Sequence, residues 1–141
     1  MQGKKVFLDT NLWVYLFLNS EKESDKDKQA QVKQLLLEHP SIVASTQVLN
    51  ETSNTLLRKY RIEADIIENY IKQIVGLVFI WPLNEDMTFS ALALLKNYHF
   101  SFYDALIVAA ALQTKCEVLF SEDMQHNLIV NDSLRIVNPF L

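Results

Sequence analysis

Short apolar runs bounded by turn-forming residues alternate along this chain with longer stretches whose apolar positions fall at helical spacing. The first run, Lys5 to Leu8, ends at Asp9. From Thr10 the sequence is apolar on nearly every side through Leu12, Trp13, Val14, Tyr15, Leu16, Phe17 and Leu18, which predicts a strand followed by a buried helix. Asn19 to Lys28 is the most polar stretch, read as a solvated loop and helix start, and it leads into a helix ending near Leu35, Leu36 and Leu37. Ile42, Val43 and Ala44 form a second strand, after which Ser45 or Thr46 caps a helix running to about Tyr60. A further helix from about Glu63 to Val75 ends at Gly76, and Leu77 to Trp81 is a third strand stopped by Pro82. Asn84 or Asp86 caps a helix through Tyr98, and Ser101 opens another that runs to about Thr114. Val118 to Phe120 is a fourth strand that ends at Ser121, Glu122 and Asp123, and Leu134 to Val137 adds a fifth.

Strands separated by helical segments predict an α/β fold, a three-layer sandwich in which helices flank a mainly parallel sheet. The 141 residues, 50% of them hydrophobic, are enough for one core, and no repeat, low-complexity tract or linker divides them, so a single domain over residues 1–141 is expected. In open parallel sheets ligands bind beyond the carboxyl ends of strands, where Asp9 and Asp123 both fall.

Composition narrows the setting. Cys116 is the only cysteine and precedes the apolar run at Val118, so it reads as a small buried side chain in a protein of the reducing cytoplasm. Lys4 and Lys5 precede apolar residues, but Asp9, Thr10 and Asn11 interrupt the run, so no secretion signal is read. The apolar run from Leu12 to Leu18 is far shorter than the roughly 20 residues a membrane span needs. The formal charge of −4 argues against nucleic acid held by a broad cationic surface. A nuclease remains open, because two divalent cations would neutralise that charge where carboxylates cluster.

Asp9, Glu51, Asp104 and Asp123 are the candidate site. Each has an ordinary reading: Asp9 caps the first helix, Ser101 to Asp104 fits a capping box, Asp123 follows a strand, and Glu51 sits on a polar helix face with Asn50, Thr52, Ser53 and Asn54. Three of the four lie at transitions into helices or turns against hydrophobic segments that would hold them rigidly. Converging carboxylates repel one another in a partly desolvated cleft unless cations neutralise them. Oxygen donors suit Mg²⁺, with Mn²⁺ as a substitute, whereas zinc lacks the cysteine pair or histidine motif it favours.

Val6 to Asn11, Asn50-Glu51, Phe102 to Ala105 and Leu119 to Asp123 together resemble the acidic motifs of PIN-domain ribonucleases, in order and across nearly the whole chain. The compact length is most similar to the VapC toxins of type II toxin–antitoxin systems. The resemblance implies a PIN-like fold and metal-dependent cleavage of RNA. Asp9 and Asp104 would be the principal metal ligands, Glu51 and Asp123 would complete the acidic site, and Asn11 and Ser121 would be polar supports. It implies as partners an RNA substrate, a cognate antitoxin and a second copy of the chain in a homodimer. One departure is Asn127, where the family commonly carries glycine, although asparagine tolerates a left-handed conformation better than most residues.

Hydrolysis by an activated water would leave 5′-phosphate and 3′-hydroxyl ends. Competing readings are a PIN-type housekeeping RNA-processing nuclease, a phosphatase or phosphotransferase using Asp9 as covalent nucleophile, and a non-catalytic module whose acidic groove binds a basic peptide. The phosphatase reading wants a second nearby acid, and position 11 is asparagine. Arg58, Lys59 and Arg61 are the densest basic cluster, and Lys96 and Lys115 can contact phosphate only where they border the cleft. His39, His99 and His126 lack ligand spacing and read as turn or surface residues. Trp13, Tyr15 and Phe17 read as core rather than base-stacking groups.

Overall fold

The computed structural model describes residues 4–141; residues 1–3 of the expected domain lie outside it. Six strands form one sheet in the order β3-β2-β1-β4-β6-β5, from β1 (Lys5–Leu8), β2 (Ser41–Ser45), β3 (Phe79–Trp81), β4 (Val118–Phe120), β5 (Ile129–Val130) and β6 (Leu134–Val137). All neighbours are parallel except β5 and β6, which pair antiparallel at one edge. The helices are α1 (Thr10–Phe17), α2 (Glu23–Glu38), α3 (Thr46–Arg58), α4 (Ala64–Leu77), α5 (Glu85–Leu95) and α6 (Phe102–Gln113). In the helical layers α1 packs on α2 and α3, α3 packs on α4, and α5 pairs with α6, which touches β2 and β4. The expected sandwich with a mainly parallel sheet is the observed architecture.

The centre is the driest part. Val6, Phe7 and Leu8 of β1 are fully buried, and α6 is buried continuously from Ala105 to Ala111. Parallel strands covered on both faces read as unbroken apolar runs, and the alanines of α6 let its backbone lie close to the sheet. Trp13 is also fully buried and donates its indole N–H to the Leu8 carbonyl at 3.2 Å, while Phe17 stacks on Tyr70 with ring centres 4.4 Å apart. The aromatic triplet of α1 is therefore packing, as its sequence pattern predicts. Cys116 is buried, and burial pushes its thiol pKa up.

Several boundaries differ from expectation for local reasons. The charged run from Glu23 is already helical, since Glu23 and Asp25 sit favourably in a first turn where helix N–H groups lack partners. Gly76 does not end α4 in a left-handed turn. The helix runs through it to Leu77 and strand β3 begins only at Phe79. α5 stops at Leu95, short of Tyr98. Of the alternative caps, Ser45 and Asn84 are the ones used, each accepting an N–H three residues on, from Val48 and Met87. β5 went unpredicted because a two-residue strand carries no readable alternation. Asn127 has φ 68°, the left-handed geometry that explains why asparagine can stand at a glycine-favouring position. Among the described residues no helix is long and apolar enough to cross a membrane.

Candidate active site

The sheet's register builds the site. Leu8 pairs with Phe120, so the next residues, Asp9 and Ser121, leave neighbouring parallel strands side by side at their carboxyl ends. Asp9 N–H extends the ladder to the Phe120 carbonyl at 2.9 Å, and Ser121 Oγ donates to Asp9 Oδ2 at 2.8 Å. Asp9 Oδ1 accepts from Thr10 N–H at 2.7 Å. Asp9 is thus the cap of α1, as its sequence position suggested, and it also faces the cavity. The two roles coincide because a helix start at a strand's carboxyl end turns the capping side chain toward the sheet crevice.

That crevice is a cavity of about 330 Å³ lined by Asp9, Thr10, Asn11, Glu51, Asp104 and Asp123, with Asn54, Thr55 and Ile107 completing it. All four predicted acids are present, delivered by β1, α3, α6 and the turn after β4. Glu51 accepts from Thr10 Oγ1 at 3.0 Å and weakly from Gln47 Nε2 at 3.4 Å. The same Gln47 amide donates to the Tyr103 carbonyl at 3.0 Å, tying α3 to the first turn of α6 where Asp104 sits. Asp123 accepts from Asn11 Nδ2, and Ser101 Oγ caps α6 by accepting from Asp104 N–H at 3.2 Å. Asn11 and Ser121 accordingly sit where polar supports were expected.

Electrostatics mark the site as strained. Burial, reinforced by the neighbouring charges of Asp104 and Glu51, lifts the Asp9 carboxyl from its ordinary 3.8 to about 6, against the hydrogen bonds from Ser121 and Thr10. Asp104 is also raised, by burial first and by Asp123 after it, against the Ser101 hydrogen bond. Four acids around one cavity, two of them resisting ionisation, form a hard-oxygen donor set that a divalent cation fits. Among the described residues no three acidic, histidine or cysteine side chains are gathered tightly enough to be a ready-made metal cage.

Other candidates fall elsewhere. Lys115 lines a separate cavity with Lys5, Ser41 and Phe79, and neither it nor Lys96 lines the acidic one. His126 Nδ1 accepts from Asn138 N–H at 2.9 Å, a turn role as predicted. Sequence reasoning missed Gln47, Asn54, Thr55 and Ile107. Helical spacing was the available signal, because residues three or four positions from Glu51 and Asp104 share their faces. It also missed a tie behind the site. Glu122 accepts from Lys28 Nζ and, at 2.6 Å, from the Tyr15 hydroxyl, holding the turn that carries Ser121 and Asp123. Nothing in the local sequence links positions so far apart.

A sequence model of the PIN domain matches residues 6–129. The chain belongs to the PIN-domain family. Comparison with curated proteins gave no match. Among solved structures, this PIN domain is similar to VapC20 of Mycobacterium tuberculosis, a sarcin-ricin loop cleaving toxin, at 22% identity and TM-score 0.67, covering 84% of this chain and 92% of that one. It is similar to a toxin-antitoxin complex from Klebsiella pneumoniae at 20% identity and TM-score 0.69, covering 96% and 98%. VapBC2 from Rickettsia felis, solved bound to a promoter DNA fragment, gives 19% identity and TM-score 0.62, covering 94% and 98%. The resemblance to the PIN family and the PIN-like fold expected from the sequence are therefore borne out.

Proposed function

We propose that this PIN domain is a divalent-metal-dependent endoribonuclease acting as the toxin of a toxin–antitoxin pair in the cytoplasm. The observation that carries the reading is the convergence of Asp9, Glu51, Asp104 and Asp123 on one cavity from four separate elements. A divalent cation, Mg²⁺ or Mn²⁺, would relieve their repulsion, make the attacking water easier to deprotonate and stabilise charge on the phosphoryl and leaving oxygens. Asp9 and Asp104 would be its principal holders, with Glu51 and Asp123 completing the set. Ser121 and Thr10 fix the Asp9 carboxylate, Asn11 fixes Asp123, and Gln47 sets Glu51 relative to α6.

The toxin assignment draws on two of the structural neighbours, VapC20, which is a toxin, and the toxin-antitoxin complex from Klebsiella pneumoniae. It is supported by an apolar groove of about 620 Å³ between α3 and α4, lined by Leu57, Ile67, Ile71 and Val75. Asn54 lines both this groove and the acidic cavity, so an antitoxin segment seated there would reach the site's rim. Exposed Leu77, Phe79 and Phe89 support pairing with a second copy.

The deciding experiment incubates wild type, Asp9→Asn and Asp104→Asn with structured RNAs, with and without Mg²⁺ or Mn²⁺. Wild type is expected to cut only with metal, leaving 5′-phosphate ends, and the variants to fall at least about 100-fold. Metal-independent cutting, 2′,3′-cyclic phosphate ends or equally active variants would refute the mechanism. Growth arrest on expression, relieved by the adjacent small gene, separates a toxin from a housekeeping nuclease.

A further inference from the structure

Asp104 and Asp123 are walls shared by the acidic cavity and a second cavity of about 400 Å³. We propose that this second cavity is a nucleobase subsite, which holds one unpaired base of an RNA strand beside the phosphate to be cut. The inference rests on the ribonuclease reading of the acidic cavity and names the part of the substrate that reading leaves open.

The chemistry of the walls selects a base. Tyr98 and Phe100 lie stacked with ring centres 5.7 Å apart and planes 28° from parallel, and Met124 and Leu128 add apolar surface. The Tyr98 hydroxyl accepts from Asn131 N–H at 2.9 Å, which holds its ring in place without using the cavity. Asn97, His99 and Gln125 are exposed and line the same space with groups that can bond a base edge. No lysine or arginine lines it, while two carboxylates do, so a phosphate is repelled and a planar, neutral ligand with polar edges is favoured. Unstacked bases in single-stranded RNA are held by such aromatic platforms, and a volume of this size lies within the range of small-ligand pockets. The shared walls place that base next to the acids rather than at a remote anchor.

The test measures binding of the full chain to a short single-stranded RNA carrying 2-aminopurine, in EDTA and again in Ca²⁺, beside the same RNA with an abasic site at that position. Binding of the intact RNA is expected to change the 2-aminopurine fluorescence as the base stacks. Phe100→Leu is expected to weaken it about 5- to 100-fold, and His99→Ala and Gln125→Ala about 2- to 10-fold each. The abasic RNA should bind all variants like wild type. The two exposed positions keep the test valid if Phe100→Leu fails to fold. Unchanged fluorescence, or equal losses on intact and abasic RNA, overturns the subsite, as does absence of RNA binding in both buffers. Subsite-dependent binding without any cleavage would instead sink the nuclease reading alone, and cleavage unaffected by all three variants would sink the subsite alone.

Discussion

Replacing Asp9 with asparagine should make the metal-free protein more stable while removing its activity. The folded chain binds the Asp9 proton more tightly than the unfolded chain, with a pKa of about 6 against 3.8. The stability linked to this group is therefore fully present below pH 3.8 and lost as pH rises through 6. At about 1.36 kcal/mol per pH unit, the buried charge costs ~3 kcal/mol at neutral pH. Asparagine removes that cost and keeps the oxygen that accepts from Thr10 N–H. Its amide would then donate to Ser121 Oγ, which already accepts from Met124 N–H, so the serine proton loses its partner at a cost of about 1 kcal/mol. The net gain is ~2 kcal/mol, or roughly 5–10 °C in Tm for a domain of this size. Thermal melts of wild type and Asp9→Asn in EDTA at pH 7.5 and pH 3.5 measure it. The variant should melt higher at pH 7.5, whereas at pH 3.5, where Asp9 is protonated and its charge cost is gone, the lost Ser121 hydrogen bond should leave the variant slightly below wild type. Equal or lower stability at pH 7.5, or a gap independent of pH, would show that burial and repulsion do not strain Asp9. Adding Mg²⁺ should raise the wild-type Tm and leave the variant's nearly unchanged, because only a ligand that binds the folded state stabilises it.

Two further outcomes are expected. Lys28→Met leaves Glu122 facing the Tyr15 hydroxyl without its cation and should cost about 1–2 kcal/mol in a urea melt. Lys28→Met combined with Glu122→Gln should recover part of that loss, and strictly additive losses would mean the pair is not coupled. Leu57→Asp, at a groove position already 44% exposed, should keep the fold but weaken antitoxin binding by about 10-fold or more in a titration. Unchanged affinity would move the antitoxin to another face.

The elements and their order were legible because parallel strands buried on both faces, such as Val6 to Leu8, and helices such as α6 carry dense apolar runs that admit few alternatives. Candidate acids were legible for a related reason, since Asp9, Asp104 and Asp123 each interrupt or follow such a run where a strand ends or a helix begins. Local sequence could not decide whether Asp9 was only a cap, because the capping contact to Thr10 N–H is the same with or without a site. What else Asp9 faces is set by pairing of β1 with β4, which puts Ser121 beside it, and by α3 and α6, which bring Glu51 and Asp104 to the same cavity. The raised pKa, the Gln47 bridge, the Lys28–Glu122–Tyr15 tie and the second cavity depend on groups far apart in the chain. Periodicity reports which face of an element is buried; only tertiary packing determines which buried faces share a crevice and so which charges must live together.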